Sequence, residues 1–145
     1  MFQLSKSFHL RHVKLRPDDP EPYYWVGVID WTLSFRENAE MRRKYNNANI
    51  RRQIRDTKPL PATLREEYRN GLGPVIDEGI EALKHAIQLR PVYDDAMAYL
   101  NLLYRRKADT VAYESERKQL LKVADDLVDR ILEIKRSRVD APTQP

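Results

Sequence analysis

The sequence predicts an all-α fold, and three observations carry that prediction. Apolar side chains recur every three or four positions through most of the chain, the period of one helix face. No segment sustains the period-two alternation of a half-buried strand. Prolines such as Pro17, Pro20, Pro22, Pro59, Pro61 and Pro91 fall between the periodic stretches, where a missing backbone N–H costs least. With 145 residues, 41% of them hydrophobic and 33% charged, the chain can build one modest core, as a single domain or a short repeat array.

The elements follow in order. Phe2 to Arg16 reads as a helix that stops at Pro17. A second helix starts near Glu21 and runs into the low forties, with Tyr24, Val28, Trp31 and Phe35 on one stripe and Trp25, Ile29 and Leu33 on the next, so it should be packed on two flanks. The asparagines of Tyr45-Asn46-Asn47-Ala48-Asn49 are expected to break it. A third helical pattern runs from Ala62 to about Arg90, with a bend or break expected at Gly71-Leu72-Gly73-Pro74. Asp94 and Asp95 open a fourth helix, where the helix dipole favours acids, and it carries Met97, Leu100, Leu103 and Tyr104 to about residue 107. The fifth runs from about Glu114 to Arg136, and the tail Ser137 to Pro145 is expected to be disordered.

Composition excludes several functions. Without cysteine there is no disulfide, thiolate metal site or cysteine nucleophile, and the chain holds no P-loop, dinucleotide fingerprint or GxSxG serine context. The adjacent acids Glu66-Glu67, Asp94-Asp95 and Asp125-Asp126 point about 100° apart on a helix, which makes poor acid–base dyads. His9 and His12 share a helix face but lack a third ligand nearby, and His85 stands alone. The reading is therefore not an enzyme, with no cofactor and no metal. No apolar run approaches the roughly 20 residues of a membrane span, and no signal-peptide pattern opens the chain. The protein is expected to be soluble and cytoplasmic by default, an exported parent protein staying open.

One phrase repeats. Leu15-Arg16-Pro17 with Asp18-Asp19 returns as Leu89-Arg90-Pro91 with Asp94-Asp95, Pro17 and Pro91 lying 74 positions apart, and Trp25 then aligns with Tyr99, Gly27 with Asn101 and Ile29 with Leu103. Gly79, Leu83, Ala86 and Pro91 reproduce the second-helix spacing of the tetratricopeptide repeat, Tyr23, Val26 and Gly27 match the start of its first helix, and Met97, Leu100 and Tyr104 match it again. The chain thus resembles that family, and the phrases from Asp18 to Trp31 and from Ala96 to Asp109 are similar to the C-terminal part of bacterial repeat proteins of unassigned biochemistry. Two departures stand out. Asp30 occupies a place where the repeat usually has tyrosine, and Asp30 and Gly79 are 49 positions apart where the consensus has about nine. That implies a short α-solenoid of helical hairpins with a long insertion, about residues 36–74, in one repeat. The units are then residues 1–16, a possible remnant of a preceding repeat; the repeat 17–91; a second hairpin 92–136; and the tail 137–145.

The resemblance implies a non-catalytic interaction module that binds a protein or peptide on a concave face lined by first helices. The residues expected there are Tyr24, Val28 and Trp31 from one repeat and Leu102, Arg105 and Arg106 from the next. The carboxylate clamp by which some family members hold chaperone C-termini is disfavoured, because Tyr24, Val28, Ala98 and Leu102 stand where it needs cations or amides. Self-association, or packing against further repeats, is the first alternative. Nucleic acid is the second and weaker one. From Arg36 to Lys58 the chain carries eight basic residues and three acids, so Arg42, Arg43, Lys44, Arg51, Arg52 and Arg55 are candidate contacts to phosphates or an acidic partner.

Overall fold

The computed structural model describes residues 2–140, which form five α-helices and one short 3-10 turn, with no strand among them. The helices are α1 (Phe2–Leu15), α2 (Pro20–Ala48), α3 (Ala62–Leu89), α4 (Asp94–Ala108) and α5 (Glu114–Asp140). The all-α class is thus correct. Consecutive helices pack on one another: α1 lies on α2, α2 pairs with α3, α3 with α4, and α4 with α5, while α2 also touches α4. The core sits where α2, α3 and α4 meet, built from Tyr68, Ile76, Ile80, Leu83, Ala96, Leu100 and Leu103.

Local chemistry sets the ends. The Asp19 carboxylate accepts the Glu21 N–H at 3.0 Å and Pro20 fills the first helical position, so α2 starts with one orphan donor capped and another absent. Its other end departs from expectation. α2 runs on through Asn46 and Asn47 to Ala48. The Asn46 side chain, instead of breaking the helix, brackets the following loop: it accepts from the Ile54 N–H at 2.8 Å and donates to the Ile54 carbonyl at 3.0 Å. An asparagine whose amide finds partners outside the helix no longer competes with the helical backbone.

The expected break in α3 is likewise absent, and the helix passes through Gly71, Gly73 and Pro74 without interruption. This stretch lies at the surface, so the carbonyl that Pro74 leaves without a helical donor can face water. The region 36–74 is mostly helix, the end of α2 and the start of α3, and only residues 49–61 lie outside the α-helices. The C-terminal helix is longer than expected too. Ser137 to Asp140 are helical, because Arg138 forms a bidentate pair with Asp94 at 2.8 and 3.1 Å and donates to the Val92 carbonyl. The rest of the expected disordered tail, 141–145, lies outside the described residues.

Two glycines position the layers. A Cβ on Gly79 of α3 would fall 2.7 Å from Leu103 of α4 and 2.9 Å from Asp30 of α2, and one on Gly27 would collide with Leu83. Both are close approaches between helices, a packing reason for glycine in a helix interior that otherwise costs about 1 kcal/mol.

Candidate functional site

The face shared by α2 and α4 carries a run of aromatic rings in edge or stacked contact. Trp25 meets Tyr24 at 5.1 Å between ring centroids, Tyr24 meets Tyr99 of α4 at 5.8 Å, Tyr99 meets Trp31 at 5.6 Å, and Trp31 stacks on Phe35 at 5.1 Å. Tyr93, just before α4, stacks on Tyr24 at 5.2 Å. The helical period puts Tyr24, Val28, Trp31 and Phe35 on one stripe, and the packing of α4 beside α2 inserts Tyr99 between Tyr24 and Trp31. Each such ring pair is worth about 0.5–1.5 kcal/mol beyond burial.

The rings are only partly consumed by the fold. Trp25 and Phe35 stay 43% and 45% exposed, and Tyr24, Trp31 and Tyr99 are half-buried. Cations border the rings at Phe35 and at Tyr93. Arg106 lies over the Phe35 ring at 5.9 Å, and Arg90 lies over Tyr93 at 4.3 Å while pairing with Glu21 at 3.2 Å. The Tyr93 hydroxyl donates to the same Glu21 carboxylate at 3.1 Å. Burial, reinforced by Tyr99, Asp95 and Glu21, raises the Tyr24 pKa and keeps the phenol neutral. The chemistry on offer is apolar and aromatic contact with cationic edges, without a nucleophile–base pair.

The residues singled out from sequence are distributed unevenly over this face. Tyr24 and Trp31 both touch Tyr99, and Val28 lies between them on α2, half-buried. Leu102 and Arg105 are half-buried on α4, but Arg105 turns to α5, donating to Asn101 at 3.0 Å and pairing with Asp125 at 2.8 Å. Arg106 reaches Phe35 and lies 3.7 Å from Asp109. Sequence reasoning did not select Trp25, Phe35, Tyr93 or Tyr99 for the site. Phe35 was marked by its spacing from Trp31, and Tyr99 by its alignment with Trp25 across the repeated phrase.

The basic segment divides into two groups. Arg42 is not a surface cation: it is 2% exposed, pairs with Asp109 at 3.3 Å, and donates to Asn38 and to the Arg55 carbonyl at 2.8 and 2.9 Å. Asp109, 4% exposed, gathers Arg42, Arg106, Arg117 and the Asn38 amide. This corrects the expectation that Arg42 contacts a ligand, since its charge is spent inside the fold. Arg43 and Lys44 are exposed beside Glu40, Arg43 through two hydrogen bonds of 2.9 and 2.6 Å. Arg51 and Arg52 form the exposed 3-10 turn, and Arg55 follows in the loop.

A second cluster of charges lies beneath α1. Asp30, with no exposed surface, pairs with Lys6 at 2.9 Å, and Lys6 also pairs with Glu78 of α3. Burial and the neighbouring Glu78 push the Asp30 pKa up to about 8 against the opposing pull of Lys6, so Asp30 holds its proton far above the ordinary carboxylate range. His9 stacks on Trp25 at 6.2 Å, and burial, then His12, lowers its pKa. His12 lies 3.6 Å from Asp19, and His85 packs against Tyr23 at 4.3 Å. Among the described residues no group of three His, Asp or Glu side chains is placed to hold a metal ion, and no helix is long and apolar enough to cross a membrane.

No protein-family model, curated protein or solved structure matches the chain.

Proposed function

We propose that the chain is a non-catalytic protein-interaction module, a short α-solenoid of tetratricopeptide-like hairpins that binds a peptide or a partner protein on the face between α2 and α4. The observation that carries this reading is the unbroken row Trp25, Tyr24, Tyr99, Trp31 and Phe35 with Arg106 at its end. Rings that are already stacked lose little freedom when a ligand covers them, which is the condition for anchoring side chains without ordering the scaffold. The order of helix contacts supports it as well: α4 packs on both α2 and α3, as the first helix of one hairpin does on the hairpin before it.

The ligand chemistry follows from the lining. Aromatic or aliphatic anchors would lie on Trp25, Tyr24 and Phe35, and an acidic group would lie toward Arg106. Panning a displayed peptide library against the immobilised protein tests this directly. Enriched peptides should carry apolar anchors with an acid, and Trp25→Ala/Phe35→Ala should weaken them about tenfold or more while leaving the circular dichroism spectrum unchanged. Both positions are substantially exposed, so the variant should fold. Enriched peptides that bind this variant as well as wild type, or that are lost instead on Arg51→Ala/Arg52→Ala, would sink the reading.

A further inference from the structure

The outer side of α5 carries a second apolar stripe that the fold covers only in part, Leu121 being half-buried and the others exposed. α5 faces α4 through Ala124, Leu127, Ile131 and Ile134, of which Ala124 and Ile134 are buried. Roughly a quarter-turn round the helix, at 100° per residue, lie Leu121, Val128, Leu132 and Val139. Val128 is 36%, Leu132 48% and Val139 83% exposed. With Asp125 and Lys135 they occupy positions 121, 125, 128, 132, 135 and 139, the alternating steps of four and three of a coiled-coil seam. Two charges in such a seam would disfavour an uncharged partner helix.

The order of the six residues is self-complementary. If a second α5 is laid antiparallel, with the two-fold axis beside Arg130, Leu121 faces Val139 of the other copy, Val128 faces Leu132, and Asp125 faces Lys135. Each pairing occurs twice by symmetry. An antiparallel coiled coil sets seam positions of the two classes opposite one another, and all three pairs obey that rule. The seam spans about 27 Å at 1.5 Å per residue. Asp125 keeps the capacity for this contact: its Oδ1 takes Arg105, and the side chain remains 68% exposed. Asp129 would meet its own copy beside the axis, a like-charge contact that holds the association to weak affinity.

We propose that two copies of this chain associate through α5 in this antiparallel register. The interface uses a different helix face from the α2–α4 aromatic row, so the dimer stands or falls independently of peptide binding. The exposed stripe on α1, Leu4, Phe8 and Leu15, is no equivalent, because it is interrupted by Arg11 and α1 has no acid to pair with it.

Sedimentation equilibrium across roughly 1–200 µM supplies the test. Wild type should gain mass toward the dimer with concentration. Lys135→Asp should weaken that association about tenfold, as should Asp125→Lys, and an equimolar mixture of the two should recover it, because each then presents the charge the other needs. Since the chain has no cysteine, register can be read by oxidation: Leu121→Cys mixed with Val139→Cys should give a disulfide-linked heterodimer, whereas Leu121→Cys alone should not. A strictly monomeric wild type would overturn the proposal. So would a dimer indifferent to Lys135→Asp, one abolished by Phe8→Asp on α1, or cross-linking of Leu121→Cys with itself, which marks a parallel pair.

Discussion

At the scale of single residues, position within the fold outweighs chemical type. Arg42 and Arg43 are adjacent and identical, yet one is buried in a network with Asp109 and the other lies in solvent beside Glu40. A surface pair such as Arg43–Glu40 is screened by solvent and adds little to stability. Removing one side of a buried ion pair is far costlier, because the partner charge stays in low dielectric without compensation. Asp109→Ala should accordingly lower the unfolding free energy by about 3–5 kcal/mol, since it strands Arg42 and loosens Arg106 and Arg117. Arg43→Ala should leave it nearly unchanged. Urea denaturation of the two variants checks both; equal effects would mean that Asp109 does not organise the junction of α2, α4 and α5.

At the scale of elements, the helices are longer than their sequence punctuation suggests. In a helix interior asparagine costs up to about 0.7 kcal/mol, each glycine about 1 and proline about 3, and tertiary contacts on both sides outweighed them. α3 is held before Gly71 by Tyr68, fully buried, whose hydroxyl donates to the Ser34 carbonyl at 2.8 Å, and after it by Ile76 and Ile80 in the core. The glycines of this helix should therefore respond in opposite directions. A Cβ on Gly71 meets nothing within 4 Å, so Gly71→Ala should stabilise by about 0.5–1 kcal/mol through the lost flexibility of the unfolded chain. Gly79→Ala forces Leu103 or Asp30 to shift and should destabilise by about 1–3 kcal/mol. Thermal melts separate them, and a stabilising Gly79→Ala would refute the close approach of α2, α3 and α4.

At the scale of the whole molecule, the Lys6, Asp30 and Glu78 cluster joins three helices and links stability to pH. Asp30 has its pKa raised in the folded protein from the ordinary 3.8 to about 8. Between those values the folded state holds a proton that the unfolded state has released, so this contribution to stability falls as pH rises from about 4 to about 8. His9, with its pKa lowered, acts in the opposite direction near its ordinary range, its stability contribution rising with pH. The difference between wild type and Asp30→Asn isolates the carboxylate. Asp30→Asn should gain on wild type steadily from pH 4 to pH 8 in denaturant titrations, and a difference that is flat over this window would contradict the raised Asp30 pKa.

The sequence by itself determined the helical class, all five helix starts to within a residue and the stripe of Tyr24, Val28, Trp31 and Phe35, because these depend on periods and caps that act within a few positions. It also marked Asp30 as a departure from the repeat pattern and Gly79 as part of that pattern, without saying that they touch. Only the tertiary structure decided that Tyr99 lies between Tyr24 and Trp31, that Arg42 is internal while Arg43 is not, and that 36–74 is helix more than loop. Those outcomes depend on which faces meet across separations such as the 71 positions between Asn38 and Asp109. Periodicity fixes the direction of a side chain from its own helix, and packing between helices determines what it finds there.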